Sequence, residues 1–326
     1  MTVETKPSIP KTTDYFPVAN GVWGLKDIMV NVYMVSNPVN NTWVLIDAGL
    51  KTAYPKIKAM AAQLFGADSK PAAILLTHGH FDHVGALKML SDEWNVPVYA
   101  HKLERPYLIG KSSYPPPDPT VGGGLMAWLS WSYPSKPIRL NNTLENLPED
   151  NSVPYLPDWT YLHTPGHAPG HVSFFRKQDG VLIAGDAFVT TNQQSAISVL
   201  FQLKKLCGPP KYFTYDWNQA RKSVELLAAL QPSRAATGHG KPMQGKELMD
   251  ALQNLSQNFY REAVPAHGRY IHAPAVATEK GVSYVPPSRI TSSKQVTRLA
   301  VLSAAVVAGF VVSKMLMKRY QRTITM

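Results

Sequence analysis

The segment Thr77-His78-Gly79-His80-Phe81-Asp82-His83-Val84-Gly85 puts four side chains able to ligate a metal within six residues. Histidine is scarce in the chain, ten in 326 residues, so the cluster asks for a cause. His78 and His80 are two apart and in extended chain point to the same side. Asp82 and His83 follow where the chain turns into a helix expected to begin near Val84, and Gly79 lets the backbone bend between ligands. A histidine pair next to an Asp–His pair can face two neighbouring ions. The plainer alternative makes Asp82 a helix N-cap and the histidines a chance cluster. The apolar strand expected just before gives no packing reason for three histidines.

Four-coordinate zinc would need further ligands from elsewhere in the chain. With Cys207 the sole cysteine, an intrachain disulfide and a cysteine-built zinc site are both excluded. Three places offer donors, each at the end of an expected strand. HTPGHAPGHVSF (163–174) carries His163, His167 and His171, AGDAF (184–188) carries Asp186, and TGHGKP (237–242) carries His239. Taken singly each is weak, since Asp186 could cap a turn and His239 could sit in a surface loop.

In this order, THGHFDHVG, TPGHAPGH, AGD and GHG, the motifs resemble those of the metallo-β-lactamase-fold hydrolase superfamily, whose signature is HxHxDH. The likeness spans residues of about 20 to 270 and is nearest to bacterial probable metallo-hydrolases of unassigned substrate. It implies a four-layer αβ/βα sandwich. It implies a first metal on His78, His80 and His167, a second on Asp82, His83 and His239, and Asp186 bridging them. His171 would lie near the site without ligating, and His101 and His163 match positions that are not ligands. His267, in VPAHG, rivals His239 as the last ligand; His239 is favoured because SRAATGHG reads as a strand and then a loop. Asp47, in VLIDAG, matches a carboxylate that orients a ligand histidine, with turn capping as the alternative.

The chemistry so implied is hydrolysis by a hydroxide shared between two metal ions, with Asp82 carrying a proton. An ester, thioester, lactone or related small-molecule bond is the expected target. Imidazole-rich coordination favours two Zn²⁺, with iron or manganese compatible. Two other classes compete. A metal-dependent phosphodiesterase or nuclease of this fold would need a basic track for phosphates. A non-catalytic metal-binding module would show a lost ligand, and none of the seven is missing.

The elements that would position these groups alternate between strand and helix, an α/β pattern. IMVNVYMV (28–35) and TWVLIDAG (42–49) read as a hairpin. Residues 52–65 have helical spacing, 72–78 is a short strand of the fully buried kind, 84–94 is helical and 96–101 is a strand. Residues 172–176, 180–186 and 233–240 are further strands; 219–230 and 246–259 are helices. Residues 105–160, rich in Pro, Gly and aromatics, read equally as a lid or insertion and as a packed excursion. Trp128, Trp131, Tyr133 and the aromatics of 211–217 are candidates for an apolar pocket or for core. The expected divisions are a flexible arm over 1–14, a catalytic domain over 15–270 and a linker over 271–298.

The net charge is +11, but residues 289–326 hold seven basic and no acidic residues, leaving +4 on the rest. No nucleic-acid partner is therefore expected; a small-molecule substrate is. The run 299–317, apolar but for Lys314, would span about 28 Å as a helix with that lysine reaching to the interface, near the roughly 30 Å of a bilayer core. It suggests a C-terminal transmembrane helix followed by a basic tail over 318–326, hence a membrane partner, with a buried or oligomer-forming helix of a soluble protein as the alternative. The polar N-terminus has no signal-peptide core, so the catalytic domain is expected in the cytoplasm.

Overall fold

The structure is a computed structural model and describes residues 15–140 and 144–288. The chain divides into two units, 1–286 and 287–326, and the first holds every strand and helix assigned among the described residues.

Two mixed sheets form the centre. The larger has seven strands in chain order: Tyr15–Ala19, Val22–Asp27, Val30–Asn37, Thr42–Ile46, Ala73–Leu75, Val98–Ala100 and Leu144–Asn146. The first four pair antiparallel and the last three join in parallel. The second sheet runs Met243–Gln244, Arg234–Ala236, Val181–Ile183, Val172–Arg176, Trp159–His163.

Side-chain alternation builds the layers. Along Thr42–Ile46, Val44 and Ile46 enter the core between the sheets, where they meet Phe174, Ile183 and Ala236 of the other sheet. Trp43 and Leu45 point the opposite way, as period two requires, onto the helices Tyr54–Phe65 and Leu87–Trp94. The outer face of the second sheet, through Phe175, Leu182 and Ala235, packs on Trp217–Ala229 and Gly245–Gln257. Helix, sheet, sheet, helix is the four-layer αβ/βα sandwich expected. A fourth cluster joins Tyr107, Tyr114 and Ala127 of the irregular 105–160 stretch to Tyr212, Phe213, Tyr215 and Tyr270.

Some expectations meet a different structure. The helix expected over 84–94 divides into Phe81–Val84 and Leu87–Trp94. Within 271–298, where a linker was expected, Val276–Thr278 and Gly281–Tyr284 pair as a hairpin, and Val282 N–H donates to Ser112 Oγ at 3.1 Å.

The expectation of a transmembrane helix, and with it a membrane partner, is corrected. No helix among the described residues is long and apolar enough to cross a membrane. The two main helices of the second sheet's outer layer have 13 residues each, about 20 Å at 1.5 Å per residue, and each keeps a polar face. The expected C-terminal apolar helix over 299–317 lies outside the described residues, as do the arm over 1–14 and the tail over 318–326.

Candidate metal centre

Every donor singled out sits where a strand of the sandwich gives way to a loop, the usual place for sites in α/β folds. Asp47 follows Thr42–Ile46, His78 to His83 follow Ala73–Leu75, Asp186 follows Val181–Ile183 and His239 follows Arg234–Ala236. His167 lies in the loop between Trp159–His163 and Val172–Arg176. Two contacts lock the sheets at this edge: Val172 N–H donates to the Thr77 carbonyl at 2.9 Å, and Tyr33 Oη–H to the Thr237 carbonyl at 2.6 Å.

The donors converge into three overlapping groups: His78, His80 and His167; His78, His83 and Asp186; Asp82, His83 and His239. His80 Nδ1 and His167 Nε2 are 2.9 Å apart. Asp186 Oδ2 lies 3.4 Å from His167 Nε2, 3.1 Å from His239 Nε2 and 3.7 Å from His83 Nε2. Asp82 Oδ2 is 3.5 Å from His239 Nε2. All seven side chains are buried. The structure therefore brings together all seven expected ligands and leaves out His267, which is exposed. Asp82 is in the first turn of Phe81–Val84 and is not its N-cap.

The atoms left over test whether metal ions fit. His78 Nε2, His83 Nε2 and Asp186 Oδ1 are buried with no hydrogen-bond partner in the protein among the described residues. Each such group costs about 1–3 kcal/mol unless something compensates it. Cations answer all three, and an N/O donor set of five histidines and two carboxylates around them suits zinc or iron. The space is kept open by Gly238: a Cβ there would lie 2.1 Å from Asp186 Oδ1 and 2.8 Å from His83 Cε1.

The outer nitrogens of His78, His83 and His239 are held so that the inner ones keep their lone pairs. The Asp47 carboxylate accepts from Thr77 N–H at 2.8 Å, Thr77 Oγ1–H at 2.7 Å and His83 Nδ1–H at 2.8 Å. Thr77 Oγ1 in turn lies 3.0 Å from His78 Nδ1 and accepts its proton. His239 Nδ1–H donates to the Met29 carbonyl at 2.6 Å. In each ring the tautomer so chosen leaves Nε2 for the centre. Asp47 acts as the orienting carboxylate and caps no turn, although it stands at a left-handed φ of 61°. His171 is spent internally, its Nε2 accepting from Asp186 N–H at 2.8 Å and its Nδ1 meeting Thr164 Oγ1 at 2.8 Å. His101 and His163 stack on each other outside the three groups, with centroids 4.1 Å apart.

Electrostatics follow from burial. Burial first, and the neighbouring imidazoles second, hold His78 and His80 well below the usual histidine range. Burial likewise pulls His167 down to about 3. These rings are neutral at pH 7, the form that ligates. For His83 burial pulls down, but Asp186 and Asp47 outweigh it and raise the pKa. Burial would raise Asp186; His239 and His83 override it and hold the carboxyl well below its ordinary value. Burial raises Asp82.

Several participants escaped the sequence reading. Thr77 stands inside the motif, and a hydroxyl beside a ligand histidine was its only signal. Gln193, whose Nε2 is 2.6 Å from His239 Nδ1, gave no signal. Of the aromatics of 211–217, Tyr215 Oη lies 3.3 Å from His80 Nε2 and Phe213 stacks on the His80 ring at 4.6 Å. Of the aromatics singled out, Tyr133 and Phe213 form a wall with Phe81 beside His80, with centroids 5.7–6.2 Å apart, while Trp131 is exposed.

A family model described as the Metallo-beta-lactamase superfamily matches residues 25–239. The chain is 45% identical over 242 residues to a probable metallo-hydrolase, YflN, of Bacillus subtilis, covering 74% of this chain and 92% of that one. It is 35% identical over 234 residues to an uncharacterized protein, YobT, of the same organism, covering 70% and 91%. Among solved structures, BJP-1, a subclass B3 metallo-beta-lactamase of Bradyrhizobium japonicum, shares the fold with a TM-score of 0.53 at 19% identity, over 76% of this chain and 92% of that one.

Proposed function

The chain belongs to the metallo-beta-lactamase superfamily and is a metal-dependent hydrolase; from that premise we propose that it works with two ions, zinc by preference, on an ester, thioester, lactone or related bond of a small molecule. The observation that carries the binuclear reading is the position of Asp186. One of its carboxylate oxygens lies within 3.1–3.7 Å of imidazole nitrogens from both histidine sets, as a bridging group must.

His78, His80 and His167 would hold the first ion, Asp82, His83 and His239 the second, and Asp186 both. Bound there, such ions supply hydroxide at neutral pH and polarise the oxygen of the scissile group. The residues do the rest. Asp47 fixes the His83 ring directly and the His78 ring through Thr77, so the ligand nitrogens stay aimed inward. Asp82 Oδ2, facing His239 across 3.5 Å, stands where a proton can be carried from the attacking water to the leaving group. Phe81, Tyr133 and Phe213 offer an apolar wall that excludes water and receives the non-reacting part of the substrate.

The test pairs metal analysis with a substrate panel of lactones, thioesters, phosphodiesters and β-lactams. Turnover of a lactone or thioester that ceases on chelation and returns with metal is expected. Activity that survives exhaustive chelation refutes the reading. For Asp82, an Asp82→Asn protein that keeps both ions and full activity would remove it from the proton path.

A further inference from the structure

Glu104 is fully buried, belongs to no motif and has no cationic partner among the described residues. A buried acid is costly unless its oxygens are satisfied. Here two of the donors are backbone amides of two different ligand loops. Glu104 Oε2 accepts from Gly79 N–H at 2.8 Å, between His78 and His80. Glu104 Oε1 accepts from Gly170 N–H at 2.7 Å, between His167 and His171. Tyr114 completes the arrangement: its hydroxyl donates to Glu104 Oε2 and accepts from Gly79 N–H at 2.9 Å, and its ring packs on His80 with centroids 4.5 Å apart.

Both contacted residues are glycines for a steric reason. A Cβ at Gly170 would lie 2.8 Å from Glu104 Cγ, and one at Gly79 would lie 2.8 Å from the Tyr114 hydroxyl. The loops are bare where the carboxylate reaches them. His78 and His80 flank Gly79 and His167 lies three residues before Gly170, so the clamp spans the first site directly; Asp82 and His83 follow one step on in the helix Phe81–Val84, and Asp186 and His239 come from loops Glu104 does not touch.

We propose that Glu104, with Tyr114, is a positioning residue that sets the spacing of the His78–His80 loop from the His167 loop and so tunes the first metal site selectively. The inference rests on the binuclear reading above. One carboxylate bridges two distant chain segments: Gly79 lies 25 residues before Glu104 and Gly170 lies 66 residues after it. Glutamine at this position has one acceptor oxygen instead of two. Its amide would confront either Gly79 N–H or Gly170 N–H donor to donor, and one loop would be released.

The experiment uses the full chain. Wild type and Glu104→Gln are stripped and titrated with zinc against a chromophoric chelator, and their cobalt forms are compared by absorption. His80→Ala and His239→Ala proteins, each lacking a ligand of one site, assign the two binding steps. Glu104→Gln is expected to bind at the first site about 10- to 100-fold more weakly, with a changed cobalt spectrum there, and at the second site within about threefold of wild type. Wild-type affinity at both sites, or equal weakening of both, overturns the proposal. A wild type that binds only the first ion refutes the binuclear reading and leaves the Glu104 comparison valid; one that binds no ion refutes both. Should Glu104→Gln not fold, Tyr114→Phe decides: a loss of about three- to tenfold confined to the first site is expected, and none overturns the proposal.

Discussion

Asp47→Asn is nearly isosteric and should act on the metals without touching a ligand. The carboxylate has two accepting oxygens; the amide has one. If the amide oxygen keeps the bond to Thr77 N–H, its NH₂ replaces Oδ2 and faces His83 Nδ1, now 2.8 Å from Oδ2, and Thr77 Oγ1, now at 2.7 Å. His83 Nδ1 must then accept, so the ring proton moves to Nε2, the nitrogen that faces Asp186 at 3.7 Å. A protonated nitrogen cannot ligate. Thr77 Oγ1 also loses its acceptor, which loosens the hold on His78. A hydrogen bond to a charged group contributes about 1.5–3 kcal/mol. At about 1.4 kcal/mol per tenfold, that predicts a loss of roughly 10- to 100-fold in affinity for the ion held by His83, a range that outer-sphere partners of metal ligands generally show. The His78 ion should weaken too, by less, because Thr77 intervenes. Zinc titration against a competing chelator reads both. Two sites of wild-type affinity in a folded Asp47→Asn protein would refute the tautomer argument.

Gly238→Ala should abolish metal uptake at the Asp186 position, since its Cβ would overlap Asp186 Oδ1, and should cost about 1–3 kcal/mol of stability; a fully loaded variant of unchanged Tm would contradict this. Removing metal by chelation should lower Tm markedly, because ions that bind only the folded chain stabilise it in proportion to their affinity, and calorimetry with and without chelator checks it. The Glu104 carboxyl is pushed up to about 7 by burial, against the pull of its donors. Between the unfolded value of 4.5 and about 7 the folded chain keeps a proton that the unfolded chain releases, so stability falls as pH rises through that window, by at most about 3 kcal/mol. Denaturant melts of metal-free protein should show a slope there that flattens in Glu104→Gln; identical slopes would refute it.

The metal cluster was legible because ligand chemistry is carried by residue type and four of the donors are contiguous. Asp186 and His239 could be read because each follows a short apolar strand, His167 because it stands in TPGH just before one, and the period-two pattern of Thr42–Ile46 and its neighbours gave the sandwich. Glu104 was not legible. In HKLERPYL it looks like one more surface charge, and what allows its burial is a pair of backbone amides far off in the chain. The strand Leu144–Asn146 was missed for a related reason: only Leu144 is buried, so this edge strand has no apolar alternation to show. The hairpin over 276–284 hides in a polar, proline-flanked stretch whose pairing is decided by its packing on Ser112. In the 105–160 region Tyr107 and Tyr114 are core and Trp131 is exposed.

Diffraction from crystals of the metal-loaded protein, collected at the absorption edge of the bound metal, tests the central claim most directly. The expected map has two anomalous peaks, one at about 2.0–2.2 Å from nitrogens of His78, His80 and His167, the other at that distance from Asp82, His83 and His239. Asp186 should reach both. Active crystals with no peak between these side chains, or with the metal bound elsewhere, would contradict it.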